Sequence, residues 1–124
     1  MEEKKMTNEI GQLQTVSWIK VCTTDSIPEN EGGCVKIKDK QIALFNFAKT
    51  GEWFATDNQC PHKMQMILSR GMLGDQDGIP KVACPYHKKT FSLHNGECMS
   101  GEEYKIQTYP VRIERNDVFI GMPE

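Results

Sequence analysis

Cys34-Val35-Lys36-Ile37-Lys38-Asp39-Lys40-Gln41-Ile42-Ala43-Leu44-Phe45-Asn46-Phe47 is the stretch that settles the fold class. Cys34 to Lys38 alternates apolar and polar residues, the period-two pattern of a half-buried strand. Asp39-Lys40 is a tight-turn candidate, and Gln41 to Phe47 is a second strand, so the stretch predicts a hairpin. Upstream, Asp25 to Gly33 holds Pro28, Gly32 and Gly33 and reads as a loop. Before it, Val16 to Val21 is rich in β-formers. Downstream, Lys49 to Glu52 turns the chain into Trp53-Phe54-Ala55-Thr56. Cys60 to Gly78 predicts an irregular segment around the short apolar piece Met64–Leu68, ending in Gly71, Gly74 and Gly78.

Short strands resume at Lys81–Cys84 and Thr90–Leu93, followed by a His94–Glu97 turn with Asn-Gly at its centre. Further strands are expected at Tyr104–Tyr109, Val111–Glu114 and, after Asn116-Asp117, Val118–Gly121. Residues 1 to 14 are polar and aperiodic and predict a flexible N-terminal arm, with one folded domain over 15–124. No stretch supports a long amphipathic helix. Many short strands with regular turns predict an all-β sandwich or small barrel.

A length of 124 residues fits one domain, large enough to bury a core without disulfide or metal support. The net charge of −2, with no basic stripe, argues against nucleic acid, whose binding rests on neutralising phosphates. No apolar run approaches the roughly 20 residues of a membrane span. Met1 to Asn8 lacks the apolar core of a secretory signal, so a cytoplasmic protein is expected. Five cysteines, an odd number, fit metal ligands or thiols better than a disulfide framework.

Two short sets stand out: Cys60-Pro61-His62 and Cys84-Pro85-Tyr86-His87. Each pairs a thiol with an imidazole, and each has a proline that stiffens the loop beside the cysteine. Two Cys and two His can hold structural zinc. Zinc fingers, however, supply a Cys pair and then a His pair on a helix, whereas each half here is mixed. A Rieske [2Fe–2S] centre fits the mixed halves better, because one iron takes two cysteines and the other two histidines. Neutral imidazoles in place of two thiolates leave less negative charge for an added electron to meet, which raises the potential above that of an all-cysteine cluster.

The C-x-H and C-x-x-H halves resemble the Rieske family. The runs Cys60-Pro-His-Lys, Leu68-Ser-Arg-Gly71, Gly74-Asp75, Ala83 to Leu93 and Gly96-Glu-Cys-Met99 also resemble the small-subunit family of assimilatory NAD(P)H-dependent nitrite reductases, over roughly Val16 to Gly121. The resemblance implies an antiparallel β-sandwich with the cluster at the tip of a two-loop subdomain. It implies cluster binding by Cys60, His62, Cys84 and His87, and electron exit by way of His62 and His87. It further implies a large partner subunit carrying FAD, a [4Fe–4S] cluster and sirohaem, an assembly that reduces nitrite to ammonium. A free Rieske ferredoxin serving an aromatic-ring dioxygenase, and a structural or assembly subunit, stay open beside that reading. Rieske ferredoxins of that type usually place glycine directly after each ligand histidine, where this chain has Lys63 and Lys88.

High-potential Rieske proteins carry an extra disulfide, whose positions here are Gln65 and Tyr86, and a serine that bonds a cluster sulfide, here Lys89. Fewer hydrogen bonds to the cluster predict a potential near the low end of the Rieske range, roughly −150 mV. Lys63, Lys88 and Lys89, with Arg70 and Lys81, read as surface charge or a docking patch. Met64, Met66, Met72 and Met99 predict packing around the site, with a soft partner-facing surface as the alternative. Cys22, Cys34 and Cys98 have no ligand spacing and read as ordinary thiols. His94 predicts exposure. Tyr86 is a candidate for a hydroxyl contact near the cluster. No nucleophile–base set and no phosphate-binding glycine loop is present, so no catalytic residue is assigned.

Overall fold

The computed structural model describes residues 3–7, 13–48, 50–61, 64–85, 89–101 and 103–123, with backbone alone at 3–7 and 13–15. Its strands are β1 (Glu3–Thr7), β2 (Leu13–Thr23), β3 (Glu31–Ile37), β4 (Lys40–Phe47), β5 (Glu52–Asp57), β6 (Gln59–Cys60) and β7 (Gln65–Met66). They continue with β8 (Met72–Gln76), β9 (Ile79–Ala83), β10 (Thr90–Ser92), β11 (Thr108–Tyr109), β12 (Val111–Glu114) and β13 (Asp117–Pro123). Helical structure among the described residues is confined to single 3-10 turns at Thr24–Ser26 and Leu68–Arg70. All pairing is antiparallel, and the all-β expectation holds.

One sheet runs β1-β2-β13-β12 and another β11-β5-β4-β3. A three-stranded β10-β9-β8 sheet and the two-stranded β6-β7 ribbon complete the fold. The hairpin of residues 34–47 is the wall between two cores. Ile42 to Phe47 is buried without interruption, because β4 is covered on both faces. Ile42 and Leu44 face one way and join Val118, Ile120, Tyr109 and Ala55. Ala43, Phe45 and Phe47 face the other way and join Leu68, Val82, Phe91, Leu93 and Ile106. The sheet thus makes a sandwich on one face and supports a subdomain on the other. Each fully buried Phe, Leu or Ile contributes about 1.5–3 kcal/mol of transfer free energy.

Several boundaries differ from expectation for local reasons. The hairpin turns at Lys38-Asp39, with Lys38 at φ +56°, one residue earlier than read. Tyr104–Tyr109 is strand only at its last two residues, with a lone bridge from Lys105 to Glu97. The Cys60–Gly78 segment contains β8, which pairs with β9 across Asp77-Gly78. Both turn residues have positive φ, +54° and +83°, the geometry that Asp-Gly favours in two-residue hairpins. That dipeptide was the available signal.

Within the polar N-terminal stretch, Glu3–Thr7 pairs antiparallel with β2. A polar strand at a sheet edge has no alternation to betray it, because neither face has to be apolar.

Candidate metal centre

Cys60 ends β6, and Cys84 follows β9 directly. Both are buried, at 0% and 1% exposure, and both belong to the core that contains Phe45, Leu68, Val82 and Phe91. They are placed by turns closed through their own main chains. The Met64 N–H donates to the Cys60 carbonyl at 2.6 Å, closing residues 60–64. The Cys84 N–H donates to the Lys89 carbonyl at 2.8 Å, closing residues 84–89. His62 and Lys63, and Tyr86, His87 and Lys88, fall within these two spans and lie outside the described residues. The structure therefore places Cys60 and Cys84 in one hydrophobic core cluster and leaves the two histidines to the sequence. Among the described residues no disulfide joins any of the five cysteines.

The two loops are held together by close backbone approaches. The Gly71 N–H donates to the Leu68 carbonyl at 2.9 Å. A Cβ at Gly71 would lie 2.5 Å from the Ala83 carbonyl oxygen and 2.6 Å from Val82 Cγ2. The return leg of the first loop thus lies directly on the strand that delivers Cys84. Gly32 of β3 plays the same part against the Leu68–Arg70 turn: a Cβ there would meet the Ser69 carbonyl at 2.6 Å.

The stem of the first loop is pinned from below. The Tyr109 hydroxyl donates to Asp57 Oδ1 at 2.7 Å, and Lys40 Nζ lies 3.4 Å from the same oxygen. Burial, and then the Asp57 carboxylate accepting its proton, push the Tyr109 phenol up to about 12 despite the opposing effect of Lys40. The hydrogen bond with Tyr109 raises Lys40 above the usual lysine range.

The remaining candidates separate clearly. Met64, Met66 and Met72 are 64%, 49% and 75% exposed, so they do not pack around the site, and the expectation of packing is corrected for these three. Met99 is half-buried. His94 is exposed, as expected. Cys98 packs against the ligand-side core and Cys22 against the sandwich core, while Cys34 is exposed. Burial raises both the Cys22 and Cys34 thiols, with Asp25 adding to the shift at Cys22. Arg70 is exposed, and Lys81 reaches Gln76 Oε1 at 3.4 Å. A cavity of about 770 Å³ lies beside Lys38, Lys40 and Met122 and is lined by neither Cys60 nor Cys84. No helix among the described residues is long and apolar enough to cross a membrane.

The model of the Rieske-like [2Fe-2S] domain matches residues 17–121. This chain belongs to that family. The Rieske-like domain is 32% identical to the small subunit of NADH nitrite reductase from Escherichia coli, over 78% of this chain and 90% of that one. It is 36% identical to the large subunit of nitrite reductase [NAD(P)H] from Klebsiella oxytoca, over 88% of this chain but only 11% of that one. The chain thus spans about a tenth of that longer relative. The ferredoxin component of a Ralstonia naphthalene dioxygenase/salicylate hydroxylase system is 36% identical, over 87% of this chain and 98% of its own. The solved structure of the E. coli protein NirD superposes with a TM-score of 0.78 at 30% identity, over 86% of this chain and 97% of that one. These likenesses agree with the antiparallel sandwich and two-loop subdomain.

Two buried thiols in one core cluster, each followed in sequence by a histidine, suit a [2Fe–2S] cluster. Thiolates that hold iron are shielded from water by their surroundings, and the apolar core around Cys60 and Cys84 provides that shielding.

Proposed function

We propose that this chain is the iron–sulfur subunit of an assimilatory nitrite reductase [NAD(P)H], acting in the cytoplasm. Cys60 and Cys84 hold one iron through their thiolates, and His62 and His87 hold the other. The observation that supports the reading is that Cys60 and Cys84, 24 positions apart in sequence, are buried in one hydrophobic core cluster, each at the start of its motif loop. When bound, the cluster supplies one-electron transfer.

The chain's own residues do the rest. The main-chain bonds Met64–Cys60 and Cys84–Lys89 fix the two loops. Phe45, Leu68, Val82 and Phe91 keep water from the thiolate side. No residue of this chain is assigned to nitrite or NAD(P)H. Those sites belong to a large partner subunit bearing FAD, a [4Fe–4S] cluster and sirohaem, which reduces nitrite to ammonium as NAD(P)H is oxidised. A domain similar to this chain, built into a nitrite reductase polypeptide in Klebsiella oxytoca, supports that partnership.

The second reading, a ferredoxin for an aromatic-ring dioxygenase, is favoured by the Ralstonia relative of nearly equal length. One set of measurements separates the two. Anaerobically purified, dithionite-reduced protein should give a rhombic EPR signal with average g below the free-electron value, and roughly two iron per chain. Added to the sirohaem subunit, it should raise NAD(P)H-dependent nitrite reduction. Stoichiometric zinc in place of iron would sink the cluster reading. Turnover with a ring dioxygenase, and none with the sirohaem subunit, would transfer the protein to the second reading.

A further inference from the structure

Asn58 lies two residues before Cys60, is 2% exposed and has every polar atom engaged. Its side-chain oxygen accepts from the Ser69 N–H at 2.7 Å. Its side-chain nitrogen donates to Gln41 Oε1 at 3.1 Å and lies 3.6 Å from Cys34 Sγ. Its main-chain N–H donates to the Gln41 carbonyl at 3.2 Å. Its carbonyl accepts from both the Ile67 and the Leu68 N–H groups at 3.0 Å. One buried residue therefore joins three segments: the start of β4, the strand entering the first loop, and the 67–69 leg leaving it.

The arrangement asks for an amide. The group must accept from a main-chain N–H at one end and donate to a carbonyl-type oxygen at the other, while its own side chain is buried. Aspartate accepts but cannot donate, and it brings a charge into a buried site. Alanine leaves the Ser69 N–H and the Gln41 side chain without their partner.

A buried asparagine need not serve a site, and β4 supplies the comparison within the same sheet. Asn46 is 9% exposed and donates from Nδ2 to the Ile27 carbonyl at 3.0 Å. It shares the face of Ile42 and Leu44, which looks into the sandwich core, away from Cys60. Gln41 and Ala43 lie on the opposite face, toward the loops. Asn58 thus closes the base of the loop that presents Cys60, while Asn46 fastens the sandwich.

We propose that Asn58 is a positioning residue for the cluster: it fixes the separation between the two legs of the first ligand loop and so sets the place of Cys60. The inference rests on Cys60 being a ligand and is independent of which partner receives the electron. Groups that orient metal ligands change metal retention by about 10–100-fold when removed.

The test compares Asn58→Ala, Asn58→Asp and Asn46→Ala with the unaltered chain, all loaded with cluster under anaerobic conditions. Cluster loss to a ferrous chelator is followed by visible absorbance, and the reduced EPR signal and the midpoint potential are recorded. Asn58→Ala should lose its cluster at least about tenfold faster, with a broadened or shifted EPR signal. Asn46→Ala, though less stable to heat, should match the unaltered chain in spectrum and potential. Asn58→Asp, which keeps the acceptor for Ser69, should fall between. If Asn58→Ala does not fold, Gln41→Ala removes one partner from the exposed side and should shift the same spectrum and loss rate in the same direction. Equal loss rates and spectra for the Asn58 and Asn46 variants, or an unchanged spectrum and loss rate in Gln41→Ala where that variant is needed, would overturn the proposal and leave the ligand reading standing. An unaltered chain that shows no Rieske-type signal after reconstitution would overturn both.

Discussion

At the residue scale, the site depends on a few mutually bonded polar groups beneath its loops. Tyr109, Asp57 and Lys40 form one such group beneath the first loop. Tyr109 and Lys40 both hold their protons more tightly in the fold than in the unfolded chain. Groups raised in this way contribute stability that is complete below their ordinary values, about 10 for both. The contribution is lost as pH climbs through the folded values, toward about 12 for Tyr109. Titration of phenolate absorbance should show a component near about 12 that is missing in Tyr109→Phe. The same variant should flatten the fall of unfolding stability above about pH 10. A titration curve unchanged in Tyr109→Phe would refute the assignment.

The potential is also decided at single positions. Gln65 is exposed and pairs with Cys60 in the β6-β7 ribbon, so it gives the cluster no disulfide. Lys89 stands where a sulfide-bonding hydroxyl occurs in high-potential proteins. A redox titration should return a midpoint near roughly −150 mV, and a clearly positive value would contradict the argument.

At the scale of elements, the two ligand loops are brought together by backbone contact with no room for side chains. Gly71→Ala drives a Cβ against the Ala83 carbonyl and Val82, at a cost of about 1–3 kcal/mol for an overpacked site. It should lower the unfolding midpoint and the iron content together, because the displaced strand is the one that carries Cys84. Gly78→Ala is the counterpart. Nothing lies within 4 Å of its Cβ, but φ is +83°. It should cost about 1–2 kcal/mol from the left-handed backbone alone and leave iron content unchanged. Iron lost equally in both variants would show that general stability, and not the contact at Gly71, holds the loops in register.

β8 and β9 show how much of an element can be read locally. Asp77-Gly78 carries a hairpin signal, but Gly71 and Gly74 on its approach suggest irregular chain. Gly71 is there for close approach to β9, and that requirement exists only once the two loops are stacked.

At the scale of the molecule, the apolar surface is distributed unevenly. Met64 follows Cys60 by four residues and is bonded to its carbonyl, while Met66 pairs with Gln59. Met72 pairs with Ala83, next to Cys84. All three are exposed, and together they border the two loops. Flexible thioethers on a surface suit a partner that docks, releases and docks again. In the proposed complex, Met64→Glu combined with Met72→Glu should raise the KM for this chain in nitrite reduction by roughly fivefold or more, about 1 kcal/mol. The midpoint potential and EPR signal should stay as they are. An unaltered KM would place the docking face elsewhere.

The sequence alone determined the all-β class, the central hairpin and the paired C-x-H and C-x-x-H motifs, because strand periodicity and ligand spacing are local properties of the chain. Family membership also rests on those spacings and on the runs between them. Tertiary structure decided what local patterns cannot carry: that β4 is buried on both faces, that Glu3–Thr7 adds a strand to a polar edge, and that Met64, Met66 and Met72 face outward. It also decided the work of Asn58, Gly71 and Gly32. An amide or a missing side chain acquires its role only from the groups that surround it, and those come from residues distant in sequence.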